Sequence, residues 1–470
     1  MATVDTIDEL NAALAADYDL ITLGANIEVA DSIKIPADKE VTIDLCGYTL
    51  SQIKDDVSAS HAFIDVKGML TIENSIGDGK ISFVDATPYT SDIGWASNTI
   101  RNDGVVIVNG GTIENLSSAN VANFGYPHAI DCYQDSVTVV NGGTVKSANY
   151  DAIRMFCNSI TLATEVVING GTIVNRVSFQ SPNNFRCYGI LEINGGNFVT
   201  TDGVKGNVRL LNFSTDISNM KATVNGGTFD KGIYTQNYAN CTIKTSDWLT
   251  VGNSVAVSTA DELSAALANG GEIILVADIA VADKTFNVPS GKNVTLYMNG
   301  RTISGTFNNT SDTNKCLFSV NKASLTIDGE GVITMNTTGK DMAWNAMSCT
   351  ICANGGDLTV NGTTIKNEGG TRMAYAIDTN PWNDSSNSVL DVVLNDAKVE
   401  STYFGIRVRD NGPYFVKVVA NDSEIDDIWY QEYSSGNNVN TGNYGTLVEV
   451  ILNNTTADTT YVNADILTIQ

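Results

Sequence analysis

Short β-branched runs that break at a glycine corner and resume beyond it set the pattern of this chain. Val105-Val106-Ile107-Val108-Asn109-Gly110-Gly111-Thr112-Ile113 shows it in full, and 139–145, 167–173, 191–198 and 223–229 repeat it. Each copy predicts a strand, a sharp Asn-Gly-Gly corner and a second strand of two or three residues. Glycine supplies positive φ at the corner without a Cβ clash, and Asn tolerates the left-handed region better than most residues. Counted from the first glycine, at 110, 142, 170, 195 and 226, the copies lie 32, 28, 25 and 31 residues apart. A hairpin array recurs faster than this, and a βαβ unit needs helical periodicity between its strands. The spacing therefore predicts a stacked array, a parallel β-helix with one rung per repeat.

Helical periodicity surfaces in two places. At 6–15, Ile7, Leu10 and Leu14 share one face behind Thr6 as N-cap and acidic first-turn residues. Strands are expected directly afterwards at 19–23, 27–29, 32–35, 41–45 and 48–51. A helix across the first rung covers backbone that would otherwise pair with another chain. The same opening returns at 260–267, with Leu263 matching Leu10 at an offset of 253, and Val294-Thr295-Leu296 matches Val41-Thr42-Ile43 at that offset. His128-Ala129-Ile130-Asp131 matches Tyr375-Ala376-Ile377-Asp378, and Ala152-Ile153-Arg154 matches Gly405-Ile406-Arg407. The closing strands, from Asp247 and Asp465, match at an offset of only 218, so the second half is shorter by about a rung. It also replaces most Gly corners by Asn-Asp pairs such as Asn395-Asp396 and Asn421-Asp422. The reading is an all-β chain of two tandem solenoid domains, 1–252 and 253–470, each opened by a short capping helix.

Composition narrows the chemistry. In 470 residues there are 41 Gly and 7 Pro, and 53 acidic against 27 basic residues give a net charge of −26. Such a surface repels nucleic acid and anionic membranes, and disfavours an anionic polysaccharide unless a local basic groove compensates. No apolar run approaches the roughly 18 residues of a membrane span. The first residues lack a basic n-region, so no signal peptide is expected and reduced thiols are the default. Most of the eight Cys sit inside apolar runs, as small hydrophobes. Cys349-Thr350-Ile351-Cys352 is the one CxxC. In a regular strand its sulfurs face opposite ways, so it reads as core filler. His61 and His128 have no partner at zinc spacing, and neither a metal nor a cofactor is expected.

Polar excursions fall at 85–99, 117–126, 180–186, 307–315, 337–345, 380–387 and 434–443. Solenoids place function on such insertions. Aromatics on or beside them, Trp95, Tyr126, Trp344, Trp382 and Tyr430 above all, are the candidate binding residues, for sugars or a protein partner. They serve equally well as plugs for the ends of a solenoid.

The strand, Asn-Gly, strand rungs behind a small helix resemble the right-handed parallel β-helix superfamily, which includes pectate-lyase-like enzymes, phage tailspikes and other virion surface proteins. The resemblance is architectural. It implies right-handed coils and, among virion members, homo-oligomers, often trimers. The lyase chemistry of the family implies a carboxylate cluster with Arg or Lys as base. The nearest residues are Asp131, Asp135, Asp151 and Arg154, with Asp378, Asp384, Arg407, Arg409 and Asp410 in the second half. With Ile130 and Ile153 inward, Asp131 and Arg154 point outward on adjacent rungs, as do Asp378 and Arg407. They either flank a groove or form a stacked ion pair of small value, and the second reading is preferred. No triad and no phosphate loop is present. The expectation is a non-enzymatic structural or adhesive component of a phage particle: a capsid decoration, head fibre or tail appendage. It would fold in the host cytoplasm, sit on the virion surface and contact capsid or tail proteins and host glycans. The competing readings are a polysaccharide lyase or depolymerase and a bacterial surface adhesin.

Overall fold

The computed structural model describes residues 1–16, 18–55, 61–86, 97–117, 127–133, 135–156, 163–180, 188–200, 207–212, 219–230, 232–237, 249–309, 314–339, 347–369, 373–380, 389–409, 415–431 and 448–470. The chain divides into two compact units, Met1–Gly252 and Asn253–Gln470. Each is an all-β solenoid of parallel strands with one helix near its start.

In the first unit the strands stack into three faces. The first is a ten-stranded parallel ladder from Ala2–Val4 to Leu249–Val251. The second begins Ile27–Glu28, Thr49–Lys54, Lys80–Asp85, Thr112–Asn115. The third begins Ile33–Ile35, His61–Val66, Ser97–Asn102, His128–Cys132. Like residues stack on like: Ile33, Ile64, Ile100, Ile130 and Ile153 are successive register partners and all are buried. A fully buried aliphatic side chain contributes roughly 1.5–3 kcal/mol, so each such column is a large share of the core. On the first face, burial alternates as the two-residue period requires, Val106 and Val108 inward in Val105–Val108.

Two second-face strands are longer than expected. Thr144–Phe156 has 13 residues and Thr172–Gln180 has 9, because each turns from the second face into the third with no break in pairing beyond a register shift. A bulge lets one strand bend round a corner.

The corners explain why Asn-Gly-Gly recurs. The second glycine holds positive φ, 73° at Gly143 and 82° at Gly171. The first sits against the carbonyl of the preceding rung: a Cβ on Gly142 would lie 2.6 Å from Asn109 O. The Asn is not left-handed, contrary to expectation. It builds an amide ladder instead: Asn141 Nδ2 donates to Asn109 Oδ1 at 2.8 Å, Asn169 to Asn141 at 2.8 Å, Asn194 to Asn169 at 3.0 Å and Asn225 to Asn194 at 2.8 Å.

The second unit repeats the plan with nine first-face strands among the described residues, Val255–Val257 to Leu467–Ile469. Its corners keep the ladder, Asn395 to Asn361 at 2.8 Å and Asn421 to Asn395 at 2.7 Å, while Asp396 and Asp422 take the left-handed position at φ 48° and 50°. The capping helices are α1, Ile7–Ala15, and α2, Ala260–Asn269. Thr6 Oγ1 accepts from Glu9 N, and Thr259 with Glu262 forms a full capping box. Leu10, Leu263 and Leu267 are wholly buried.

Candidate functional site

The site grows out of the third face. Each of its strands carries a residue directly after the stacked Ile, and parallel register places those residues in one column on the outer side. In the first unit the column reads Lys34, Asp65, Arg101, Asp131, Arg154, with sign alternating at every rung. Of these, sequence reasoning singled out only Asp131 and Arg154. Aligning the five stacked isoleucines and reading the next residue would have shown the rest.

Asp131 and Arg154 do meet. Arg154 Nε donates to Asp131 Oδ1 at 2.7 Å and Nη2 to Oδ2 at 2.5 Å. The pair is not the solvated surface contact expected. Asp131 has no exposed side-chain area and Arg154 has 12%. All five residues of His128–Cys132 are buried, so both sides of the strand are covered. Asn98 Nδ2 adds a third bond to Asp131 Oδ2 at 2.8 Å. Burial alone would raise the Asp131 carboxyl, but the charges of Arg154 and His128 and the hydrogen bonds of Arg154 and Tyr133 outweigh it and hold it below the usual range. Burial works to lower Arg154, but the charge and hydrogen bonds of Asp131 outweigh it and raise Arg154. Burial is also the largest cause that pushes His128 down to about 4, with Arg154 adding to it. Asp151 pairs with Arg176, which lies 4.8 Å from the Tyr150 ring centre. Asp135 is a left-handed turn residue at φ 59°.

At the exposed end of the column the arrangement opens into a cavity of about 190 Å³ lined by Ser32, Lys34, His61, Asp65, Asn98, Arg101 and Tyr133. Arg101 is held by Asp103 at 2.7 Å and lies 4.3 Å from the Tyr133 ring centre. Asp65 Oδ1 and Asn98 Oδ1 are buried and have no hydrogen-bond partner among the described residues. Both are acceptors, and unmet acceptors favour a ligand that brings donors.

In the second unit the corresponding pair is also closed. Arg407 Nε donates to Asp378 Oδ1 at 2.6 Å, Arg409 Nη2 donates to Oδ2 at 2.5 Å, and Asp378 is fully buried. Arg407 lies 4.2 Å from the Tyr375 ring centre. Cys349 and Cys352 depart from expectation: their sulfurs lie within 4.8 Å of each other, not on opposite sides.

The aromatic candidates fare differently. Tyr430, expected on a polar excursion, is 7% exposed in the strand Glu424–Gln431 and belongs to the core. Trp95, Tyr126, Trp344 and Trp382 lie outside the described residues, as do Asp384 and Asp410. Arg101 and Tyr133 are the aromatic–cation contact that the cavity does contain.

No family model, no curated protein and no solved structure matches the chain.

Proposed function

We propose that this protein is a non-enzymatic structural and adhesive component of a phage particle surface, a capsid decoration, head fibre or tail appendage, whose solenoid presents a small site for an acidic saccharide. One observation carries the non-enzymatic reading. Both carboxylates placed to act as acid or base, Asp131 and Asp378, are fully buried and engaged by arginines through paired hydrogen bonds. Against the cost of burial, Arg154 holds the Asp131 carboxyl below the usual range, so it stays ionised near neutral pH, and burial with Arg407 and Arg409 closes Asp378 off from a substrate.

The cavity supports the adhesive part. Lys34 and Arg101 suit a sugar carboxylate, and Asp65 Oδ1 and Asn98 Oδ1 suit ring hydroxyls. A local basic pair is what an otherwise acidic surface, at net charge −26, needs to admit such a ligand.

The test has two parts. The purified chain should retain acidic oligosaccharides without shortening them, and antibody against it should label the outside of intact phage particles. Release of shorter or unsaturated sugars would replace this reading with a depolymerase. Label confined to the bacterial envelope would replace it with an adhesin.

A further inference from the structure

The second unit concentrates thiols on the outer side of its third face. Cys316 and Cys349 are register partners on adjacent strands, and Cys352 and Asp378 are partners one strand further on. Burial along the strand Ser348–Asn354 does not alternate, since its first six residues are all buried. Thr350 is fully buried, its Oγ1 donates to Lys366 O at 2.7 Å, and Cys349 and Cys352 come to the same side. Their sulfurs and a carboxylate oxygen of Asp378 all lie within 4.8 Å of one another, and all three residues are buried. Cys352 Sγ is 3.8 Å from Asp378 Oδ2. Cys316, the register partner of Cys349 on the neighbouring strand, lies just outside that group of three.

Charge gives a second, independent observation. Asp378 is gripped by two arginines, Arg407 and Arg409, only 4% and 8% exposed. With neutral thiols this leaves, among the described residues, two buried cations against one anion. Net charge in a low-dielectric interior is strongly unfavourable. A divalent cation that ionises the three thiols changes the sum: three thiolates and one carboxylate then balance the metal and two guanidiniums.

We propose that Cys349, Cys352 and Asp378, with Cys316 as fourth donor, bind a zinc ion. Three sulfurs and one oxygen suit a borderline-soft, tetrahedral metal and not calcium or magnesium, which take oxygen. Zinc–sulfur bonds of about 2.3 Å require the donors to draw slightly closer than their present separations. Asp378 retains lone pairs beyond those its two arginines use, and the arginines fix its orientation as outer-shell partners do. The donors lie on three successive rungs, so the ion pins those rungs together. This site is separate from the saccharide cavity, and neither proposal depends on the other.

The experiment uses the full chain, purified reduced and without chelator. Elemental analysis should find about one zinc per chain, retained by Cys46→Ser and Cys132→Ser and lost from the Cys349→Ser/Cys352→Ser double variant. Added Co²⁺ should give the wild type the near-ultraviolet thiolate band and the visible absorption of a tetrahedral site. That spectrum decides the matter even where the double variant fails to fold. Zinc no higher in the wild type than in the double variant, absence of the Co²⁺–thiolate band, or a disulfide among Cys316, Cys349 and Cys352 in the reduced preparation would each overturn the proposal.

Discussion

Arg154 holds Asp131 of the preceding rung by two parallel hydrogen bonds, Nε to Oδ1 at 2.7 Å and Nη2 to Oδ2 at 2.5 Å, with Asp131 wholly buried. Removing one partner strands the other charge in a dry interior, which costs about 3–5 kcal/mol. Arg154→Ala should therefore destabilise the first unit by that amount in chemical denaturation. Asp131→Asn with Arg154→Met should be much closer to wild type, because no charge is left alone. Equal losses in the two would show that packing, not charge, holds this point.

The amide ladder and the glycine corner should fail by different amounts. Asn169→Ala removes bonds to Asn141 and Asn194 at an exposed corner, and about 1 kcal/mol is expected. Gly143→Ala places a Cβ 2.4 Å from Gly111 O at φ 73° and should cost several-fold more. Thermal melts of the two variants side by side check the order.

Stability should fall with acid in two stages. The His128 ring is fully buried with its pKa pushed down to about 4, against about 6.5 unfolded. The unfolded chain takes the proton first, so this contribution is complete above about pH 6.5 and is lost as pH falls toward 4. The full loss is at most roughly 3 kcal/mol, from 1.36 kcal/mol per pH unit. Asp131, whose pKa is lowered, adds a second loss at still lower pH, below the unfolded value near 3.9. His128→Asn should flatten the first stage in melts between pH 7 and 4.5. An unchanged slope would place the sensitivity elsewhere.

Binding at the cavity should separate from folding. Arg101 is 41% exposed at its side chain, and its bridge to Asp103 is of the kind worth at most about 1 kcal/mol. Lys34→Ala with Arg101→Ala should weaken an acidic oligosaccharide at least tenfold, about 1.4 kcal/mol, with little change in melting. Calorimetric titration of both forms checks this, and unaltered affinity would remove the cavity from the adhesive surface.

Thr259→Ala removes one half of the capping box on α2 and should cost about 1 kcal/mol in the second unit. Hydrogen exchange of the first helical turn, Asp261 to Leu263, should rise with it.

What the sequence determined by itself is the repeat. Glycine with positive φ is a requirement of one local corner, so it recurs visibly wherever a corner recurs, whereas the Asn-on-Asn ladder that repeats beside it is made between rungs. The capping helices were legible for the same reason, because Thr6 and Thr259 act within one helical turn. Whether an outward side chain is wet or dry is another matter. Asp131 and Arg154 were correctly paired one rung apart, yet their burial depends on what covers the outer side, which alternation along a strand does not encode. The five-rung charge column needed register between strands some thirty residues apart, and Tyr430 joined the core through the same long-range stacking. The meeting of Cys349 and Cys352 departs from the two-residue period that a regular strand imposes. Tertiary structure decided these points because register and cover arise from contacts between rungs, and the linear pattern records only contacts within one.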